Sequence, residues 1–312
     1  MIKHTHTEPT ELNFYKLEER IMQVNDPYLG KYNDIRKMLY ELTIDNKPTL
    51  IMATGGSKVI AYYLQLIIER LGLTGIICEV IEPRDYFYKA NRGMFSNLIA
   101  ISASGNTNGI SEALLDFRGN KYLITENKKE SNYQVVSWSN ELHDREKSFI
   151  SLATSLGPIS LLLDSTTSLN LELGSNEIKR INDKIKELLS RSKEKINKLN
   201  VDFKDTSLIQ IMSGYETKTS ASVLESNLTE VGLAPAVIHD KGSYCHGRSN
   251  LLFQYPNSKL IYLSHGLKEL DSLLIESINS EYSNISVFDT NDLSDNISFL
   301  SDQSSWWLGT TA

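Results

Sequence analysis

The chain has 312 residues, 40% of them hydrophobic and 23% charged, enough for one large or two modest domains with full cores. Its formal net charge of −7 argues against nucleic acid as a partner, since no basic stripe offers counterion release. No apolar run approaches a bilayer span, Met1-Ile-Lys-His-Thr-His6 has no signal-peptide core, and two cysteines, Cys78 and Cys245, make no disulfide framework, so a cytoplasmic protein without a membrane partner is expected.

Residues 1–46 read as a helical arm. Apolar residues recur at helical spacing from Thr10, and again from Tyr32 to Leu42 after Asn25-Asp-Pro27 breaks the pattern. His4 and His6 have no cysteine or acidic neighbour at ligand spacing, and no metal site is expected there or elsewhere.

From residue 47 to 170 strands alternate with helices, the pattern of a parallel sheet with right-handed crossovers. Thr49-Leu-Ile-Met-Ala-Thr54 reads as a buried strand, followed by the small loop Gly55-Gly56-Ser57 and an apolar helix from Val59 to Ile68. Gly75 to Ile81 is a second strand, with Cys78 as a small core residue, and Arg84 to Lys89 a turn or short helix. Asn97-Leu-Ile-Ala-Ile101 has the branching of a buried parallel strand. It runs into Ser102-Ala-Ser-Gly-Asn-Thr107 and then a helix from Gly109 to Leu115. Lys121 to Thr125 and Val135-Val136 are further strands, and Ile150 to Leu163 an apolar helix containing Gly157-Pro158.

The Ser102 turn carries the first functional expectation. A strand that turns through hydroxyl residues and glycine into a helix makes an anion site, because the first helical N–H groups have no partner inside the helix. Ser102, Ser104 and Thr107 add three neutral donors, and no Lys or Arg lies inside the loop, which suits a single phosphate rather than a nucleotide triphosphate with metal. The same turn could be an ordinary capped connection. The Gly55-Gly56-Ser57 loop favours the anion reading, since two such loops at one sheet edge set two helix starts around one crevice.

Residues 171–204 read as a helical connector, with Ile178, Ile181, Ile185, Leu188, Ile196 and Leu199 on one side of a charged helix. Residues 205–312 repeat the plan of the first lobe without repeating its sequence. Ser207 to Met212 is a strand entering Ser213-Gly-Tyr-Glu216, and Thr219 to Val231 a helix. Ala236 to His239, Leu260 to Leu263 and Ile285 to Phe288 are strands, and Leu267 to Asn279 a helix.

Two tandem α/β lobes bearing Thr54-Gly-Gly-Ser57, Ser102-Ala-Ser-Gly-Asn-Thr107 and Ser213-Gly-Tyr-Glu216 resemble the sugar isomerase (SIS) domain family, over roughly Thr49 to Phe288. The layout is similar to the isomerase portion of glutamine–fructose-6-phosphate aminotransferase. The resemblance implies two tandem lobes, each a mostly parallel sheet flanked by helices. It identifies Glu230, in Leu228-Thr-Glu-Val-Gly232, with the family glutamate, and His246, in Gly242-Ser-Tyr-Cys-His-Gly247, with the family histidine, 16 residues on. It also implies sugar or phosphate contacts at Ser151 and Gly214, and a histidine that can enter the site from a neighbouring subunit of a homodimer.

The chemistry explains that pair. Interconverting an aldose and a ketose needs ring opening, then proton transfer between adjacent carbons through a cis-enediol. A carboxylate whose burial lifts its pKa can carry that proton, and an imidazole can open the ring. Glu230 and His246 are the candidates, with no cofactor and a sugar phosphate as substrate. Cys245 reads as a spacer.

Departures from the aminotransferase are clear. The chain reaches the first lobe without a glutaminase segment, and Asn227 stands where that enzyme has a lysine. Asp302-Gln-Ser-Ser-Trp-Trp-Leu308 holds no Schiff-base lysine, and Gly56 replaces a hydroxyl residue. Arg248 replaces a proline and could meet a second anionic group or serve a subunit contact. Three functions stay open: an aldose–ketose isomerase, a phosphosugar deaminase or deglycase using the same pair, and a non-catalytic sugar-phosphate sensor.

Overall fold

The computed structural model describes residues 32–70, 77–127, 131–137, 158, 159, 162, 165, 206–232, 234–267, 269–281 and 285–289. The chain divides into two units, Met1–Lys179 and Arg180–Ala312. The break falls within the expected connector 171–204, whose residues lie outside those described, as do the N-terminal helix from Thr10, Ser151 and the Trp306-Trp307 tail.

The first unit opens on α1 (Tyr32–Asp45), whose Ile35, Met38, Leu39 and Leu42 are fully buried at helical spacing. Five parallel strands follow: β1 (Thr49–Met52), β2 (Cys78–Ile81), β3 (Asn97–Ile101), β4 (Asn120–Thr125) and β5 (Gln134–Ser137), in the order β2-β1-β3-β4-β5. β1 and β3 are buried at every residue, which is why both read as unbroken apolar runs and not as alternating ones. Their register is pinned at the starting edge by a ladder of polar side chains. Asn97 Nδ2 donates to Thr49 Oγ1 at 3.2 Å, and Asn120 Nδ2 donates to Asn97 Oδ1 at 3.0 Å.

α2 (Ser57–Arg70) crosses from β1 to β2, and its wide apolar face, including Ile60, Ala61, Leu64 and Ile68, is buried. On one face of the sheet Leu50, Met52, Leu98, Ala100 and Leu123 meet Tyr86 of the short α3 (Asp85–Tyr88) and Ile110, Ala113 and Leu114 of α4 (Ile110–Asp116). The turn from α4 into β4 passes so close to the neighbouring strand that a β-carbon on Gly119 would lie 2.1 Å from the Ser96 carbonyl oxygen; only glycine fits. Pro158, Ile159, Leu162 and Ser165, in the region predicted as an apolar helix and just beyond it, are helical and buried.

Among its described residues the second unit has four parallel strands, β6 (Leu208–Ser213), β7 (Ala236–Asp240), β8 (Ser258–Ser264) and β9 (Ile285–Asp289), ordered β7-β6-β8-β9. α5 (Lys218–Val231) joins β6 to β7 and ends on Gly232 in the left-handed conformation. α6 (Lys241–Cys245), a single turn at Arg248–Asn250 and α7 (Leu251–Gln254) join β7 to β8; α8 (Glu269–Glu281) joins β8 to β9.

The two connections out of β6 and β7 use opposite faces of this sheet. Ile209, Ile211, Ile261 and Leu263 pack on Ala221, Leu224 and Leu228 of α5. Met212, Leu260 and Tyr262, alternating with them, pack on Tyr244 of α6, Leu252 of α7 and Ile278 of α8. Right-handed crossovers require this, because β6 to β7 moves one way along the sheet and β7 to β8 moves back across it.

Candidate functional site

β1 and β3 are neighbours, with Met52 beside Ala100, so the loops after them leave the same sheet edge side by side. The chain after β1 turns outward to β2 and the chain after β3 turns the other way to β4. Open α/β sheets bind ligands at such a point of divergence, at the ends of the strands. Gly55, Gly56 and Ser57 stand on one side of it, and Ser102, Ser104 and Thr107 on the other.

The Ser102 loop is held by its own hydroxyls. Ser102, 2% exposed, lies 2.7 Å oxygen to oxygen from Thr107, and its Oγ accepts the Gly105 N–H at 3.1 Å. Ser104 Oγ accepts the Asn106 N–H at 3.1 Å, and a hydroxyl that accepts in this way keeps its own proton to donate. β4 clamps the loop from behind: Thr125 Oγ1 donates to the Ala103 carbonyl at 3.1 Å, and Asn127 Nδ2 to the Ser104 carbonyl at 2.9 Å. The helix that follows is short, seven residues, and the N–H of Ile110 is taken by the Thr107 carbonyl at 3.1 Å. Hydroxyls, more than loop amides or a long helix dipole, are therefore the donors this turn can offer.

The first loop brings a cation that the sequence reading passed over. Lys58 follows Ser57 directly, and its ammonium pairs with Glu82 at the end of β2. The hydrogen bond to Glu82 holds the Lys58 pKa above the ordinary lysine value against the opposing effect of burial. A crevice of about 460 Å³ beside this pair is lined by Lys58, Tyr62, Glu79, Glu82, Asp85 and Lys89, among others. The signal was present, since Lys58 abuts the loop, but its pairing depends on β2 lying next to β1.

Glu230 and His246 come out differently. Glu230 lies in the last turn of α5, exposed, with Oε1 accepting from Ser226 Oγ at 2.9 Å. It stands near the edge where β7 starts, on the α5 face of the second sheet. His246 caps the C-terminus of α6, exposed, beyond the edge where β7 ends and on the other face. Their separation of 16 residues spans a whole strand, so within one chain the sheet stands between them. Gly214 lies at the opposite end of α5 from Glu230, about 20 Å away by helical rise, and its N–H donates to Thr217 Oγ1 at 3.1 Å.

Below α6 lies a histidine that sequence reading missed. His239, in β7, is 2% exposed, and neither ring nitrogen has a hydrogen-bond partner among the described residues. Its ring lies 5.7 Å from that of Tyr244. Burial, and then the charge of Arg248, lower its pKa below the ordinary imidazole value. Arg248 itself is exposed in the turn after His246. A histidine kept neutral in the fold but free to protonate when unfolded contributes stability that is complete above about pH 6.5 and is lost as pH falls toward the lowered folded value. Urea unfolding between about pH 7 and pH 5 should show this loss, and His239→Phe should flatten it. Identical pH dependence in both proteins would rule it out.

Cys78 is pushed up to about 12 by burial, chiefly, and by Glu69, so its thiol is inert; it is half-buried at the start of β2 and not the core residue expected. Cys245 is exposed. No group of three or more His, Cys, Asp or Glu side chains suited to a metal ion occurs among the described residues. No helix among them is long and apolar enough to cross a membrane.

No protein-family model matches the chain, and no curated protein does. Solved structures match over nearly the full length. A candidate sugar-binding protein from Salmonella typhimurium LT2 has a TM-score of 0.75 at 12% identity, over 96% of this chain and 98% of its own. A candidate phosphosugar isomerase from Clostridium difficile 630 has a TM-score of 0.70 at 14% identity, over 94% and 90%. The C-terminal domain of glucosamine-fructose-6-phosphate aminotransferase from Francisella tularensis has 0.64 at 15%, over 99% and 95%. The fold is thus the one these solved structures have, an α/β chain with parallel sheets flanked by helices, as the resemblance implied.

Proposed function

We propose that the chain is an aldose–ketose isomerase of a sugar phosphate, working without metal or organic cofactor. The observation that carries the reading is the pairing of β1 with β3, which brings two small loops free of acidic residues out at one sheet edge. The phosphate is gripped there by Ser102, Ser104, Thr107 and the Gly55-Gly56-Ser57 loop, with Ser151 and Gly214 as further contacts the resemblance suggests. Arg248 is a cation available to a second anionic group.

His246 opens the sugar ring, giving a proton to the ring oxygen as the anomeric hydroxyl loses one. The Glu230 carboxylate then takes the proton from the carbon beside the carbonyl, leaving a cis-enediolate; a proton passes from its hydroxyl to the former carbonyl oxygen, and the carboxyl returns its own proton to the neighbouring carbon as the new carbonyl forms. The placement of Glu230 and His246 on opposite faces of one sheet supports a site completed in a homodimer, with the imidazole coming from the second copy. The burial expected of a proton-carrying carboxylate is not found in the single chain, where Glu230 is exposed.

Incubation with hexose, pentose and amino-sugar phosphates in deuterated water tests this. Deuterium at the carbon beside the carbonyl is expected. Absence of exchange with every sugar would leave a binding protein, and ammonia release would assign the same pair to deamination. Ser104→Ala combined with Thr107→Ala should weaken a phosphorylated ligand about 5- to 100-fold, two neutral hydrogen bonds, and leave the unphosphorylated sugar nearly unchanged. Calorimetry showing equal weakening of both would remove the phosphate assignment.

A further inference from the structure

His246 sits at the end of a helix too short to hold itself. α6 has five residues, and a helix of that length has no stability of its own in water, because its first turn fixes several dihedral angles for one hydrogen bond. The His246 N–H donates to the Gly242 and Ser243 carbonyls, at 3.2 Å each. The place of its imidazole is therefore set by whatever fixes α6.

Among the described residues three ties do so. Asp240, at the end of β7, caps the helix: Oδ1 accepts the Ser243 N–H at 2.8 Å, and Oδ2 accepts from Ser243 Oγ at 2.5 Å. Tyr244, fully buried, packs with Met212, Leu252, Leu260 and Tyr262. The third tie reaches a different helix. Lys241, the first residue of α6, donates from Nζ at 2.6 Å to Oδ1 of Asp271, in the first turn of α8.

Asp271 is an unexpected residue to bury. α8 turns Leu270 and Leu273 to the surface, 76% and 55% exposed, and puts a carboxylate inside, 3% exposed. Packing alone would choose the reverse, because a carboxylate loses its hydration on burial and must be paired. The Tyr262 hydroxyl, from β8, donates to the same Oδ1 at 2.9 Å. Burial, and then that hydrogen bond, hold the Tyr262 pKa above the ordinary phenol value, so the tyrosine stays a donor. Asp271 is thus held by α8 and by the sheet independently of Lys241, and offers the start of α6 a fixed anchor. What such a pair adds over an apolar contact is direction.

We propose that Lys241 and Asp271 are positioning residues for His246: their pair ties the start of α6 to α8 and so sets the angle from which the imidazole opens the sugar ring. The proposal rests on the reading of His246 as the ring-opening group. Both residues act through α6.

Ring opening is read by itself as exchange between the α and β anomers of a sugar phosphate, followed by exchange NMR. The Glu230→Gln chain is the background, since it separates this step from proton transfer at carbon, and the hexose, pentose and amino-sugar phosphates of the deuterium panel are the probes. Adding Lys241→Met should slow anomer exchange about 10- to 100-fold, the cost of misplacing a catalytic group, with the calorimetric affinity for the sugar phosphate nearly unchanged. Asp271→Asn should do the same, and Lys241→Arg, which keeps the charge, should stay within a few-fold of the background. Undiminished exchange in folded Lys241→Met and Asp271→Asn chains would overturn the proposal. Loss of affinity in step with exchange would overturn it too, since that marks a site damaged as a whole. Full anomer exchange in His246→Asn, or none in the background chain, would instead overturn the reading of His246, and the proposal with it, an outcome read in different chains.

Discussion

Glu230→Gln should lower turnover by about 100- to 10,000-fold, the range a positioned general acid–base group contributes, while the affinity for sugar phosphate changes little. The amide keeps the size of the carboxylate and can still accept from Ser226, so the end of α5 has no reason to rearrange. What it loses is the ability to take a proton from carbon and give it back. With the phosphate held at the other end of the ligand, as proposed, binding should survive. Solvent exchange into the substrate should fall in step with turnover, since both report the same proton transfer. A rate within a few-fold of wild type would show that Glu230 is not the carrier.

Mixing two inactive chains should restore activity. Glu230→Gln and His246→Asn are each expected to lower turnover about 100-fold or more alone. If every site takes its carboxylate from one chain and its imidazole from the other, a mixed dimer contains one doubly damaged site and one intact site. Random assortment makes half of the dimers mixed, so equal mixing should recover about one quarter of wild-type activity. The prediction follows from the second sheet, which holds α5 on one face and α6 on the other and sets the two side chains at different edges. Recovery near zero, with mixed dimers verified by mass, would mean that the partner supplies no imidazole.

Read alone, the sequence determined a great deal of the fold. Buried parallel strands have no polar face to alternate with, so Thr49–Met52 and Asn97–Ile101 announced themselves as short, branched apolar runs. Small loops after them, and helices with apolar residues at three- and four-residue spacing, made the α/β plan legible in both lobes. The Ser102 turn was legible for a similar local reason: its hydroxyls, its glycine and its place between strand and helix all lie within a few consecutive residues.

Tertiary structure decided what local order could not carry. The sequence sets Glu230 and His246 16 residues apart, which says nothing of the faces they end on; that follows from strand order, since β7 lies outside β6 and the chain must recross the sheet to reach β8. The same holds for Lys58, whose partner Glu82 is reached only because β2 pairs with β1, and for Asp289, which meets Gly266 and Leu267 only because β9 pairs with β8. The buried His239, without a hydrogen-bond partner among the described residues, was hidden for the same reason, as its burial depends on α6 folding back over the strand that bears it. Periodicity and turn chemistry act over a few residues, whereas charge pairing and burial depend on which distant strands become neighbours.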